Sequence, residues 1–255
     1  MCKLKIQTAD DNQGDENIVL SKNKFDRVGS CPSSVGSREF SLILIRFRIV
    51  GNLRFLSHSE MLRVFQRAFV RAGLQIQYTQ GFNPRVKLSL PLPRPVGVET
   101  EEDLLYVRVS NSAIDIDSFS GQLKHQLPIG FEIIGVEIVE KGVSYQPYLA
   151  TYILTVKSSV FVKTGKNIKA AIKRIMESES LEVERYVEGK KSKSKTVDVR
   201  DFLKSVELKD KRVKVEYNIS PRGSIRVDEI IKLLGIETEH LAEPVRRTNV
   251  QWRRN

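Results

Sequence analysis

The segment from Tyr78 to Lys87 contains the residue types that bind single-stranded RNA. Two aromatic rings can stack on bases, two amides can read base edges, and two cations can meet phosphates. In that order, the pairs are Tyr78 and Phe82, Gln80 and Asn83, and Arg85 and Lys87. A structural interpretation stands beside this one. Gly81 and Asn83-Pro84 are common turn residues, and Phe82 could fill the core.

Two predicted strands carry cations on one face. These cations alternate with apolar residues, which places them on the side away from the core. They are Arg46 and Arg48 within Ser41–Val50, and Arg85 and Lys87 within Arg85–Leu90. An open sheet face of this kind holds single strands in RNA-recognition domains. The alternative is that a second domain covers the face and that carboxylates from residues 101–140 neutralise its charge.

His58 is the candidate for acid–base chemistry, because an imidazole titrates near neutral pH. It lies inside Ser57–Glu60, whose Ser-x-x-Glu spacing predicts a capping box at a helix start. No identifiable nucleophile arrangement accompanies it. His58 is therefore either a proton carrier or a residue that caps and packs the helix start.

Metal and cofactor chemistry find little support in the sequence. The chain has two cysteines and three scattered histidines. This excludes an iron–sulfur cluster held by three or four of its own thiolates, and also a cysteine-rich zinc site. No HExxH, GxGxxG or Walker A spacing occurs. We therefore expect no metal and no cofactor, and a noncatalytic role over an enzymatic one.

The charge balance favours an acidic partner. The 255 residues carry 42 Lys plus Arg against 31 Asp plus Glu, a net charge of +11. Residues 41–100 contain nine basic and two acidic residues, and eight of the nine are arginine, which suits bidentate phosphate contact. A solvated basic surface is the alternative. No long apolar run and no signal sequence is evident, so we expect a cytoplasmic protein without membrane contact.

The predicted elements alternate between strands and helices. The first half reads strand, helix, strand, strand, helix, strand, which is the split βαβ pattern of a ferredoxin-like domain, and the second half varies it. We predict an α+β protein with two ferredoxin-like domains in tandem. The predicted divisions are a flexible extension (1–40), a first domain with the GFNP motif Gly81–Pro84 (41–142), a second domain (148–245) and a basic tail (246–255).

The stretch from Arg54 to Glu102 resembles the radical SAM-linked protein family, a bacterial domain of unknown function. The motifs that carry the resemblance are Arg54–His58, Arg71–Gly73, Tyr78–Pro84, Leu90–Pro93 and Gly97–Glu99. Two positions depart from the family pattern. Glu60 stands where the family usually has Asp, and Arg85 stands where it usually has His.

The resemblance implies an accessory role in RNA modification or processing. Family members occur fused to, or encoded beside, a radical SAM enzyme with a cobalamin-binding region, and near genes for a ribonuclease and a ribosomal protein. We therefore expect a noncatalytic accessory protein whose partners are that enzyme and RNA or the ribosome. The expected nucleic-acid-binding residues are Arg46, Arg48, Arg54, Tyr78, Gln80, Phe82, Asn83, Arg85 and Lys87. The alternatives are a metal-independent RNA-processing enzyme that uses His58, and a protein-interaction scaffold that binds no nucleic acid.

Overall fold

The computed structural model describes residues 40–110, 114–187 and 193–255, and these belong to one compact unit. The predicted extension therefore lies almost entirely outside the described residues. The described part has these strands and helices: β1 (Ser41–Ile49), α1 (His58–Arg71), β2 (Leu88–Ser89), β3 (Glu99–Val109), α2 (Ile116–Lys124), β4 (Phe131–Val139), β5 (Tyr145–Thr155), α3 (Ser158–Glu177), β6 (Glu182–Val187), β7 (Lys193–Asp198), β8 (Leu203–Lys209), β9 (Arg212–Asn218), α4 (Val227–Leu233) and β10 (Arg246–Arg254). None of these helices combines the length and apolar character that a bilayer crossing needs.

A single mixed sheet runs through both halves of the chain. Its order is β4-β1-β3-β10-β5-β9-β8, with β2 also paired to β3, while β6 and β7 form a separate hairpin. All neighbours are antiparallel except β10 and β3, which are parallel. The α+β class is confirmed. The sheet is continuous through both halves of the chain.

Helix α1 is positioned by its cap and by one apolar face. The Ser57 hydroxyl accepts a hydrogen bond from the Glu60 N–H at 3.3 Å, and a Glu60 carboxylate oxygen accepts one from the Ser57 N–H at 2.8 Å. This is the predicted capping box. Phe65 is completely buried, and its ring centroid lies 4.9 Å from that of Phe47 and 5.2 Å from that of Phe131. The opposite face of α1 is left to solvent.

The sheet face away from α1 carries a smaller apolar cluster. Leu44, Leu104 and Tyr106 are buried there. Tyr145 and Trp252, which come from β5 and β10, pack against them. Part of this face is thus covered by strands of the C-terminal half.

The two halves meet along β10, and this junction is called the seam. The Arg247 guanidinium is buried in it and donates to Asp103 Oδ1 at 2.6 Å. Burial disfavours its charge, but Asp103 and the hydroxyls of Tyr152 and Tyr217 outweigh burial and raise the pKa of Arg247. Buried charges persist only when paired in this way.

The segment 246–255, expected as a basic tail, is therefore mostly a central strand. Four of its residues are arginines, and the sequence does not show their partners. Arg246 lies near carboxylates of Glu99 and Glu243, and Arg254 lies 2.8 Å from Glu140. Carboxylates thus pair with Arg246, Arg247 and Arg254, whereas Arg253 is exposed and lies over the Tyr148 ring.

Candidate nucleic-acid interface

The GFNP motif lies in a loop that is closed at its base by Thr79 and Arg85. The Thr79 N–H donates to the Arg85 carbonyl at 2.7 Å, and the Arg85 N–H donates to Thr79 Oγ1 at 2.9 Å. Gly81 has φ +132°, a conformation that side chains with a Cβ rarely adopt. The loop holds Phe82 fully exposed. The interpretation in which Phe82 fills the core is therefore wrong.

A depression of about 380 Å³ lies between α1 and this loop. Its apolar surface includes Val70 and Tyr78, which are 60% and 43% exposed. Three arginines lie around it. The full lining is Gln66, Arg67, Val70, Arg71, Tyr78, Pro84, Arg85 and Val86.

The charge of this depression is not compensated. None of its lining residues is acidic, and residues 61–98 contain no Asp or Glu. Within the described ranges, no carboxylate forms an ion pair with Arg67, Arg71 or Arg85. Arg71 instead donates to the side-chain and backbone oxygens of Gln126 at 3.1 Å and 2.5 Å. Three guanidinium groups beside apolar surface can receive phosphates and a base at the same place.

The predicted sheet face is electrostatically different. Arg46 lies 2.7 Å from a Glu102 oxygen and 3.1 Å from a Glu137 oxygen, and Arg48 lies 2.7 Å from Glu132. Partial burial disfavours the charge on Arg46, but hydrogen bonds to both glutamates outweigh it and raise the pKa of Arg46. All three carboxylates come from residues 101–140, as in the alternative considered for this face. A polyanion would have to displace them.

The structure thus separates the nine predicted binding residues. Gln80 and Asn83 lie exposed in the loop beside Phe82. Arg54 is elsewhere: it donates to the Gly51 carbonyl at 2.8 Å, stacks over Phe55 at 4.2 Å, and lines a different groove. Lys87 lines a separate pocket beside β3.

The sequence does not indicate that α1 lines this depression together with the GFNP loop. Arg63, Arg67 and Arg71 recur at intervals of four, which by itself indicates a solvated helix face. The missing information was that the GFNP loop folds back beside this ridge. The absence of acidic residues from 61–98 is the one sequence signal that joins the two segments.

His58 lies apart from this depression. It is the first residue of α1, and among the described residues its buried Nδ1 has no hydrogen-bond partner. At about 1.5 Å per residue, it is roughly 12–20 Å along the helix from residues 66–71. The neighbouring Ser57 and Glu60 bond to each other in the cap. In the described ranges, no group of three or more His, Cys, Asp or Glu side chains is placed to hold a metal ion.

Residues 43–230 match the family described as "Uncharacterized protein conserved in bacteria (DUF2344)". The chain belongs to this family. The match includes β1 from residue 43, α1, the GFNP loop and strands β2 to β9. The family description assigns no activity to its members.

Other comparisons add no functional information. No curated protein matches the chain. An unknown protein from Galdieria sulphuraria shares 12% identity over 85% of this chain and 99% of its own, with a TM-score of 0.25. A Fusobacterium nucleatum protein, assigned provisionally as a monooxygenase, shares 9% identity over 85% and 94%, with a TM-score of 0.21. Overlap this weak carries no argument about fold or function.

Proposed function

We propose that this family member is a noncatalytic protein that binds single-stranded RNA between α1 and the GFNP loop. The binding surface consists of Arg67, Val70, Arg71, Tyr78, Phe82 and Arg85, and is called the α1–loop surface. One observation carries the proposal. A half-exposed tyrosine lines a depression together with three arginines that have no carboxylate partner in the described ranges, and a fully exposed phenylalanine lies in the loop that borders this depression.

The exposed rings favour a single strand over a duplex. Phe82 and Tyr78 can contact only bases whose faces are free, and bases in a helix are stacked on one another. Gln80 and Asn83 stand next to Phe82 and can bond to base edges. Arg67, Arg71 and Arg85 can then contact the phosphates on either side of a stacked base.

The proposal places the RNA on α1 and the loop and leaves the sheet face out. Arg46 and Arg48 already have carboxylate partners, so they offer little free charge. The distance of His58 from the α1–loop surface favours binding over cleavage at that surface.

The proposed partner is a radical SAM enzyme encoded nearby, for which this chain presents RNA or a ribosomal substrate. The support is the resemblance of residues 54–102 to radical SAM-linked proteins. The chain's two cysteines are too few to hold such an enzyme's cluster, so the partner would supply that chemistry.

We also propose that each half is a ferredoxin-like unit. The N-terminal half has the order β4-β1-β3-β2 and the C-terminal half has the order β10-β5-β9-β8. When the strands of the main sheet are numbered in chain order within each half, both halves have the strand order 4-1-3-2, and all their pairs are antiparallel. The β6–β7 hairpin is inserted into the C-terminal half. This shared order supports two joined copies of one topology.

The test compares two exposed phenylalanines. Phe82→Ala should weaken binding of an oligouridylate of about 12 nucleotides by about 5- to 150-fold, because stacking contributes about 1–3 kcal/mol per base. Phe55→Ala is the matched control, since Phe55 is 57% exposed on another surface. Binding is measured by fluorescence anisotropy with the full chain.

Three outcomes contradict the proposal. They are no binding by the native chain at about 50 mM KCl, equal binding by Phe82→Ala, and equal losses in both variants. Gel analysis of the same mixtures tests the alternative of RNA cleavage. If the native chain shortens the oligonucleotide and His58→Ala does not, the protein is an enzyme that uses His58. Co-purification with the radical SAM enzyme and without RNA would favour the scaffold.

A further inference from the structure

A second cavity lies on the other side of the sheet from α1. It has a volume of about 420 Å³, and it is called the β2–β3 pocket. Its lining residues are Leu42, Lys87, Leu88, Ser89, Pro91, Tyr106, Arg108, Val143, Ser144 and Tyr145. Tyr106 belongs to the apolar cluster on the face away from α1. No residue lines both this pocket and the α1–loop surface, so the two are separate sites.

Two cations face each other across the strands of this pocket. Leu88 pairs with Val107 in the antiparallel register, and Lys87 and Arg108 come next to this pair, where the ladder ends. The Arg108 N–H donates to the Lys87 carbonyl at 3.1 Å. Like charges on neighbouring strands repel each other. The fold thus keeps two cations at one end of a cavity.

No carboxylate in the described ranges relieves this repulsion. The Arg108 guanidinium lies 4.9 Å from the ring centroid of Phe40, and the Lys141 ammonium lies 5.0 Å from the same centroid. Lys141 therefore adds a third positive charge nearby. None of the pocket's lining residues is acidic. A bound anion would relieve the repulsion between Lys87 and Arg108.

The rest of the lining is apolar or uncharged. The Tyr106 hydroxyl accepts a hydrogen bond from the Tyr145 N–H at 2.8 Å. Burial raises the pKa of Tyr106, so this phenol stays neutral and adds no negative charge. Leu42, Leu88 and Pro91 complete an apolar wall. The volume lies near the lower end of the range for small-molecule pockets, about 300–1,000 Å³.

We propose that the β2–β3 pocket binds a mononucleotide, with its phosphate on Lys87 and Arg108 and its ring system against the apolar wall. The two cations match the double charge of a phosphate monoester, and Arg108 can bind two of its oxygens at once. The hydroxyls of Ser89 and Ser144 line the same cavity and can bond to the sugar. This site does not depend on the proposed RNA surface.

The test is titration calorimetry of the full chain with adenosine 5′-monophosphate, adenosine and inorganic phosphate as separate probes. The monophosphate should bind more tightly than either part alone. Arg108→Gln and Lys87→Gln should each weaken it by about tenfold or more, because bonds to charged groups are lost. Arg212→Gln, which changes an exposed arginine on β9, is the matched control.

The single tryptophan gives a second readout. Trp252 packs on the same cluster as Tyr106 and Tyr145, so its fluorescence should change with the same midpoint as the heat. Four results overturn the proposal. They are no binding of the monophosphate, equal affinity for adenosine, equal affinity for inorganic phosphate, and undiminished binding by Arg108→Gln.

Discussion

The salt dependence of RNA binding distinguishes the α1–loop surface from the sheet face. The decisive pair of variants is Arg67→Gln and Arg46→Gln. Arg67 has no carboxylate partner in the described ranges, whereas Arg46 lies within 2.7 Å of Glu102 and 3.1 Å of Glu137. Only an arginine that is free in the unbound protein and meets a phosphate in the complex should change the salt dependence.

The expected size of the salt dependence follows from the number of arginines on this surface that have no carboxylate partner in the described ranges. Each phosphate neutralised on a single strand contributes about −0.7 to the slope of log K against log salt. The three arginines of the α1–loop surface therefore predict a slope of about −2, or about 20-fold weaker binding at 200 mM than at 50 mM KCl. Arg67→Gln should reduce the slope to about −1.4 and the loss to about sevenfold. Arg46→Gln should leave the slope unchanged.

The assay is fluorescence anisotropy of labelled oligouridylate at several KCl concentrations with native chain and both variants. Circular dichroism checks that each variant is folded. Equal slopes for native chain and Arg67→Gln would refute the placement of RNA on α1. A reduced slope for Arg46→Gln alone would return the binding site to the sheet face.

Three further predictions concern the fold that holds these surfaces. Asp103→Asn leaves Arg247 charged and buried without its carboxylate partner. This variant should lower the free energy of unfolding, measured by urea titration, by about 3–5 kcal/mol. A loss below about 1 kcal/mol would contradict the buried ion pair in the seam. Phe65→Ala empties a completely buried site and should cost about 3–5 kcal/mol by the same measurement, with Phe82→Ala near zero as its control. Ser57→Ala should cost about 1 kcal/mol at neutral pH. Because hydrogen bonds from Ser57 lower the pKa of Glu60, their contribution is lost as pH falls through that lowered pKa, so the difference from native chain should narrow in acid.

Local elements were predictable where local chemistry decides them. The alternation of Ser41–Val50 predicts β1, observed at Ser41–Ile49, and the spacing of Ser57 and Glu60 predicts the start of α1. Gly73 follows the apolar positions of α1, so it is predicted to end the helix in the left-handed conformation, and its φ is +66°. The sequence also predicts a strand at Phe131–Val139, and β4 has these bounds. Each of these signals lies within a few residues of the element it determines.

Elements without local signals were less well predicted. Apolar residues on one helical face predict a helix over 167–176, but α3 begins at Ser158, where Lys157 supplies no side-chain cap. The sequence leaves the segment 197–208 ambiguous between strand and helix, and this segment contains the end of β7, a short 3-10 helix at Arg200–Phe202 and most of β8.

Whether an arginine is paired with a carboxylate depends on residues that are far apart in the sequence. Arg46 and Glu137 are 91 positions apart, and Arg247 and Asp103 are 144 apart. Alternation correctly indicated that Arg46 avoids the apolar core. It carried no information on which carboxylate would come to lie beside that arginine. For the same reason, the sequence did not predict that the GFNP loop lies beside α1.

The position of β10 has a consequence for biosynthesis. Strand β10 pairs with β3 and with β5, both of which leave the ribosome far earlier. Until Arg246–Arg254 emerges, each of those strands has backbone groups without a partner, and unpaired strand edges invite pairing with other chains. A nascent or truncated chain that stops before Arg246 therefore holds two aggregation-prone edges that the finished protein conceals.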